Sequence, residues 1–134
     1  MANVMYDRAK KALGLSEVQW VTGDVKASAL GSGYLFDPTH TNVTELTDVL
    51  DTVDVDDRAV ADTGEWSNGD LSPGPVIGSG ETMTAVVFWL DSGTPSTSWL
   101  LVYQDRNSDL TPISRAGVGD PVLVPYPGNT VEFV

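Results

Sequence analysis

A chain of 134 residues is long enough for one domain, whose folding removes roughly two thirds of the unfolded surface from water. It has no cysteine, which excludes disulfides, thiolate zinc sites and a cysteine nucleophile. Nineteen acidic residues against seven basic give a formal net charge of −12, a surface that repels nucleic-acid phosphate and suits solubility or docking on a basic partner.

The spacing of Met5, Ala9, Ala12 and Leu13 predicts a helix from Val4 to Leu13, stopped by Gly14. Its basic residues fall late, near the negative end of the helix dipole. These charges stand where a signal peptide needs apolar residues, and no run of 18 apolar residues offers a transmembrane helix. A soluble protein that reaches its place by assembly is expected. Ser16 to Trp20 leads into a strand from Asp24 to Leu30, in which Val25, Ala27 and Ala29 share one face. Gly31 and Gly33 end it. Tyr34 to Asn42, around Pro38, reads as loop. Leu46, Val49 and Leu50 are spaced for a short helix from Thr44 to Leu50. An acidic stretch follows, with a strand expected near Arg58 to Asp62. Gly64 to Gly80 is rich in Gly, Ser and Pro and reads as a loop anchored by Trp66 and Leu71.

The clearest pattern is AVVFWLDSGTPSTSWLLVY, from Ala85 to Tyr103. Two apolar runs rich in Val, Phe, Trp and Leu flank a polar loop, Asp91 to Ser98, holding Gly93 and Pro95. This predicts adjacent strands over about Thr82–Leu90 and Trp99–Arg106. Asn107 to Gly119 reads mostly as turn. Pro121–Tyr126 and Thr130–Val134 look like a last strand pair, joined at Pro127-Gly128-Asn129. The expected architecture is a single mainly β domain over residues 1–134, an antiparallel β-sandwich or small β-barrel. It has a short N-terminal helical segment at 1–14 and a β core over 20–134.

The residues offer little chemistry. His40 is the only histidine, and the nearest match to a nucleophile elbow, Gly78-Ser79-Gly80, lacks its spacing. A loop histidine bonded to backbone or water is the plain reading. Zinc would need further nitrogen or sulfur ligands beside His40, which the chain does not supply. Calcium could find oxygen in the acidic stretch that holds Glu45, Asp48, Asp51, Asp54, Asp56, Asp57, Asp62 and Glu65, counted from Asp51, or in Asp105–Asp109. Neither has glycine at the sixth position and glutamate at the twelfth of an EF-hand loop. Two carboxylates from separate strands could serve glycoside hydrolysis, although 19 acids make chance pairs easy to find. No phosphate-cradling loop is present. No catalytic residue, metal or cofactor is therefore assigned. Trp89 and Trp99 lie in strong strands and are expected in the core. Trp66, in a Gly/Ser-rich loop, is either an interface residue or a plug under its own loop.

Four segments carry a resemblance. They are VMYDRAKKAL leading through Trp20 to DVKASAL; Tyr34, Pro38 and His40; the Asp91–Ser98 loop, Asp-x-Gly-Thr-Pro-x-Thr-Ser, with its two strands; and GNTVEFV from Gly128. In order and spacing they resemble a family of small virion structural proteins of tailed bacteriophages. The resemblance implies a part of the particle without catalytic residues. It points to capsid decoration or cement on the outside of the major capsid protein shell, made in the host cytoplasm, while the acidic charge and the lack of a long apolar run argue against a nucleic-acid or membrane partner. A tail, connector or fibre-base component is the alternative. A carbohydrate-binding module using Trp66 and nearby acids is a second. A cementing domain needs on the order of 1,000 Å² of buried surface, and self-association as a dimer or trimer would multiply weak contacts. Tyr6, Arg8, Lys10 and Lys11 gather the cations of an acidic protein, so this segment is the expected docking element, with Trp66 as a further candidate. A solvated helix face packed through Met5, Ala9 and Leu13 is the other reading.

Overall fold

The computed structural model describes residues 4–15, 20–60, 62, 66–68, 74–106, 111–117, 119 and 128–131. The chain is mainly β, with an antiparallel five-stranded sheet at its centre and one short helix. In chain order that sheet draws on β1 (Val4–Met5), β2 (Val25–Leu30), β3 (Val49–Asp54), β7 (Ala85–Leu90) and β8 (Leu100–Gln104). Their spatial order is β1-β8-β7-β2-β3. A three-stranded sheet runs β10 (Gly128–Val131), β5 (Trp66–Asn68), β4 (Ala59–Val60). A two-stranded sheet joins β6 (Thr82–Met83) to β9 (Arg115–Ala116). Together they give the sandwich-like small domain that the strand spacing predicts.

β7 and β8 pair directly, Val87 opposite Tyr103 and Phe88 opposite Val102, with a bulge between Phe88 and Trp89. All of β8, and β7 up to Trp89, are buried, so these strands read as unbroken apolar runs. α1 (Asp7–Gly14) packs against β8 and sinks Ala9 and Ala12 into the core. Trp20 closes on Phe88 edge-on, ring centroids 6.0 Å apart. Val25, Ala27 and Ala29 are buried as expected, and so is Ser28. Its hydroxyl is the reason a polar residue fits there. It accepts the Trp89 indole N–H at 2.9 Å and lies 2.8 Å from the Thr52 hydroxyl.

Several expectations are corrected. The helix starts at Asp7, not Val4, because Val4 and Met5 pair with Tyr103 and Val102 along the open edge of β8. The helix expected over Thr44–Leu50 is a 3₁₀ turn, Val43–Glu45, followed by β3. Asp48 has φ +54, which no helix continues through, and Val49, Thr52 and Val53 pair with β2 instead. The strand near Arg58 is present as Ala59–Val60, with residue 61 outside the described residues. The long strand from Thr82 is interrupted at Thr84, whose amide turns to the Leu30 carbonyl at 2.8 Å. β8 ends at Gln104, while Arg106 makes an isolated bridge to Pro112. Within the expected 64–80 loop, Trp66–Asn68 is a strand. Gly128 and Asn129, expected as a turn, lie in β10 opposite Asn68 and Ser67. Residues 16–19, Leu71, 107–110, 121–127 and 132–134 lie outside the described residues.

Two details fix the borders of the sheets. The outer rim of β3 is closed by Asp51, whose carboxylate accepts the Thr52 amide at 2.9 Å and the Val76 amide at 2.7 Å. Beside β9, Gly117 lies against backbone. A Cβ there would stand 2.2 Å from the Gly78 carbonyl oxygen and 2.5 Å from that of Ile77.

Candidate functional site

The connection from Gly31 to Leu46 folds into an open pocket of about 460 Å³ beside α1. Its floor is aromatic. Tyr6, fully buried just before α1, bonds through its hydroxyl to that of Tyr34 at 2.9 Å. The Tyr34 hydroxyl is in turn 2.9 Å from His40 Nδ1. Phe36 stacks on Tyr103 with centroids 4.7 Å apart and tilts against Tyr6. Burial raises the Tyr6 phenol far above its ordinary value and raises that of Tyr34 as well, so both are neutral and able to donate. The arrangement that satisfies this chain is Tyr6 donating to Tyr34 and Tyr34 to Nδ1, which leaves His40 Nε2 as the N–H facing the pocket.

Two carboxylates meet that nitrogen. Asp37 Oδ2 lies 4.0 Å and Glu45 Oε2 3.9 Å from Nε2. Each is anchored through its other oxygen. Asp37 Oδ1 accepts the Thr39 hydroxyl at 2.6 Å and the Thr39 amide at 2.9 Å, and these bonds hold its carboxyl below the usual aspartate range. Glu45 Oε1 accepts the Thr41 amide, the Thr41 hydroxyl and the Asn42 side-chain amide. Asn42 caps the 3₁₀ turn by accepting the Thr44 amide at 3.1 Å, while Glu45 reaches back to the Thr41 amide, one residue before the cap. The pocket thus presents two fixed carboxylate oxygens under an exposed apolar rim at Leu35.

Such a site suits a cationic or hydrogen-bond-donating group. The threonine hydroxyls around it are engaged elsewhere: Thr39 with Asp37, Thr41 with Glu45, and Thr47 with the Gly33 carbonyl at 3.3 Å. Among the described residues no group of three His, Asp or Glu side chains is arranged to hold a metal ion.

The residues singled out in the sequence divide between this pocket and the neighbouring helix. His40 is bonded to a phenol, which corrects the reading of a histidine held by backbone or water. Tyr6 is core, which corrects its place in an exposed docking surface; its role is to support Tyr34. On α1, the Arg8 guanidinium lies 4.8 Å over the Trp99 ring, which is half-buried rather than fully in the core. Lys10 is 3.6 Å from Asp7, and Lys11 is exposed. The backbone of Trp66 lies in β5; its side chain is outside the described residues. Asp37 was not singled out, Glu45 only as part of the acidic stretch weighed for calcium, and Leu35 not at all. The Asn-x-x-Glu spacing at 42–45 and the Asp-Pro-Thr-His run at 37–40 were the signals that could have found the first two.

The Asp91–Ser98 loop stands against the same region. The Val43 amide donates to the Ser98 carbonyl at 3.0 Å, and the Leu100 amide to that of Thr41 at 2.9 Å. Its hydroxyls bond one another. Ser92 Oγ is 2.6 Å from Thr97 Oγ1, and Ser98 Oγ donates to the Thr94 carbonyl at 2.9 Å. Pro95 opens a 3₁₀ turn, and residues 92–97 are all exposed. The result is a protrusion held in shape by its own bonds. No helix among the described residues is long and apolar enough to cross a membrane. Comparison with protein-family models, curated proteins and solved structures finds no match to this chain.

Proposed function

We propose that this chain is a structural protein of a tailed-phage particle, a capsid decoration protein that binds the outside of the major capsid shell and stabilises it. The observation that carries the reading is the Asp91–Ser98 loop. This is the most specific segment of the resemblance, and it projects from between the two central strands as an exposed, self-bonded knob. A rigid protrusion loses little conformational entropy on binding, which favours a binding role over a catalytic one. The strongly acidic surface supports the same reading, since it suits solubility at high copy number and docking on a basic partner surface. On this reading the protein resides on the virion surface, passes through the host cytoplasm during assembly, and acts without catalysis, nucleic acid or membrane.

Quantitative mass spectrometry of purified particles against the major capsid protein tests it. A copy number in fixed ratio to the shell protein is the expected result. A few copies per particle would move the protein to a tail, connector or fibre base. Absence from particles would overturn the reading.

A further inference from the structure

Three polar atoms converge at the pocket without bonding one another. His40 Nε2 stands 4.0 Å from Asp37 Oδ2 and 3.9 Å from Glu45 Oε2, both beyond hydrogen-bond reach. Each belongs to a side chain fixed through its other polar atom: Asp37 Oδ1 by Thr39, Glu45 Oε1 by Thr41 and Asn42, and His40 Nδ1 by Tyr34. The direction of the phenol chain sets the polarity of the gap between them. Were it reversed, with Nδ1 donating to Tyr34 and Tyr34 to Tyr6, the fully buried Tyr6 O–H would have no acceptor among the described residues. Nε2 therefore carries the hydrogen, and the pocket offers one donor beside two acceptors.

That set matches a hydroxyl group. A cation would satisfy the carboxylates but meet the positive end of the Nε2–H bond, and an anion would face two carboxylates on a chain of net charge −12. A hydroxyl oxygen in the gap accepts from Nε2 and donates to one carboxylate, and a neighbouring hydroxyl donates to the other. The walls add a second requirement. Leu35, 81 % exposed, and the half-buried Phe36 also line the pocket, so its occupant meets carbon as well as oxygen. A sugar ring combines adjacent hydroxyls along its edge with C–H groups on its faces. The pocket volume of about 460 Å³ lies within the range of about 300–1,000 Å³ that small-molecule sites occupy. We infer that this pocket binds a neutral saccharide through adjacent hydroxyls, held by Asp37, Glu45 and His40 and packed against Leu35 and Phe36.

Titration of the isotope-labelled full chain, followed by NMR, tests the inference independently of any capsid. The probes are the methyl glycosides of glucose, galactose, mannose and N-acetylglucosamine, each taken to about 50 mM, because a single open site gives dissociation constants of about millimolar. At least one is expected to shift the amides of residues 33–47, with an affinity that sodium chloride leaves unchanged. Asp37→Asn and Glu45→Gln keep the anchored oxygen and replace the free one with an amide donor, and each is expected to weaken binding by about tenfold or more. Leu35→Ser changes a position too exposed to bear on folding and is expected to weaken binding about threefold. Maltotriose and chitotriose separate the two sources of such a ring. A trisaccharide bound about tenfold more tightly than its monosaccharide assigns a unit within a glycan chain, and equal binding assigns a free sugar. No shift with any of the glycosides, shifts confined to other parts of the chain, or amide variants that bind as wild type would each overturn the inference. So would arginine methyl ester binding more tightly than every glycoside with an affinity that salt weakens. None of these results bears on copy number in particles, so the capsid reading stands or falls separately.

Discussion

Ser28 shows how one hydroxyl can decide a position. It sits on a buried strand between Ala27 and Ala29, where alanine would satisfy every steric demand. Ser28→Ala would leave the Trp89 indole N–H without its acceptor in the core, and urea unfolding should show a loss of about 1–3 kcal/mol. The phenols give a second test at this scale. Tyr6, Tyr34 and Tyr103 are all raised above their ordinary value of 10.0, chiefly by burial. The native state therefore favours their neutral form. That stabilisation is complete below pH 10 and is lost as pH rises through the native values, because the unfolded chain ionises first. Stability is expected to fall above about pH 10, and Tyr6→Phe should flatten that limb while costing about 1 kcal/mol at neutral pH. Asp37 works in the opposite sense. Its lowered value adds stability above the usual aspartate range that fades as pH falls through the native value, so Asp37→Asn should flatten the acid limb of a pH-stepped melt.

Among the elements, β3 is the exposed border of the central sheet, and a single carboxylate guards it. Asp51→Ala would free the Thr52 and Val76 amides, and light scattering on mild heating is expected to show faster aggregation than wild type. The same strand marks the limit of what the residues alone convey. β7 and β8 were legible because Val, Phe, Trp and Leu run together there, and such runs belong to strands covered on both faces. β3 was not legible. Its sequence, VLDTVD, has no clean period of two, and Leu46, Val49 and Leu50 fit a helical spacing equally well. What decides is Asp48 at φ +54 and the partner offered by β2, neither of which is local information. The two residues of β1 were absorbed into the helix for the same reason: their partners lie about a hundred positions away. The pocket was half legible. His40 stands out as a lone histidine, but its hydrogen bond runs to Tyr34, and Tyr34 is held by Tyr6, 28 positions earlier in the chain. No short motif encodes that arrangement. Gly117 was also silent in the sequence. Gly117→Ala drives a methyl into the Ile77 and Gly78 carbonyls and should cost about 1–3 kcal/mol by urea unfolding.

For the molecule as a whole, charge is the dominant property. With 19 acids and 7 bases, the folded state gathers like charges that the unfolded chain spreads apart. Raising sodium chloride from low to physiological concentration should therefore raise the thermal midpoint, read by circular dichroism. The order β1-β8-β7-β2-β3 has a consequence for how the protein is made. Synthesis delivers β1 and α1 first, yet their support is β8, which emerges after residue 104. The β2–β3 pair can close early, with β7 and then β8 adding along its length. The opening segment must wait through most of translation before it has anything to lie on. A nascent chain stopped short of Leu100 therefore keeps the Met5, Tyr6 and Ala9 side chains in water and is a client for chaperones rather than a smaller version of the fold.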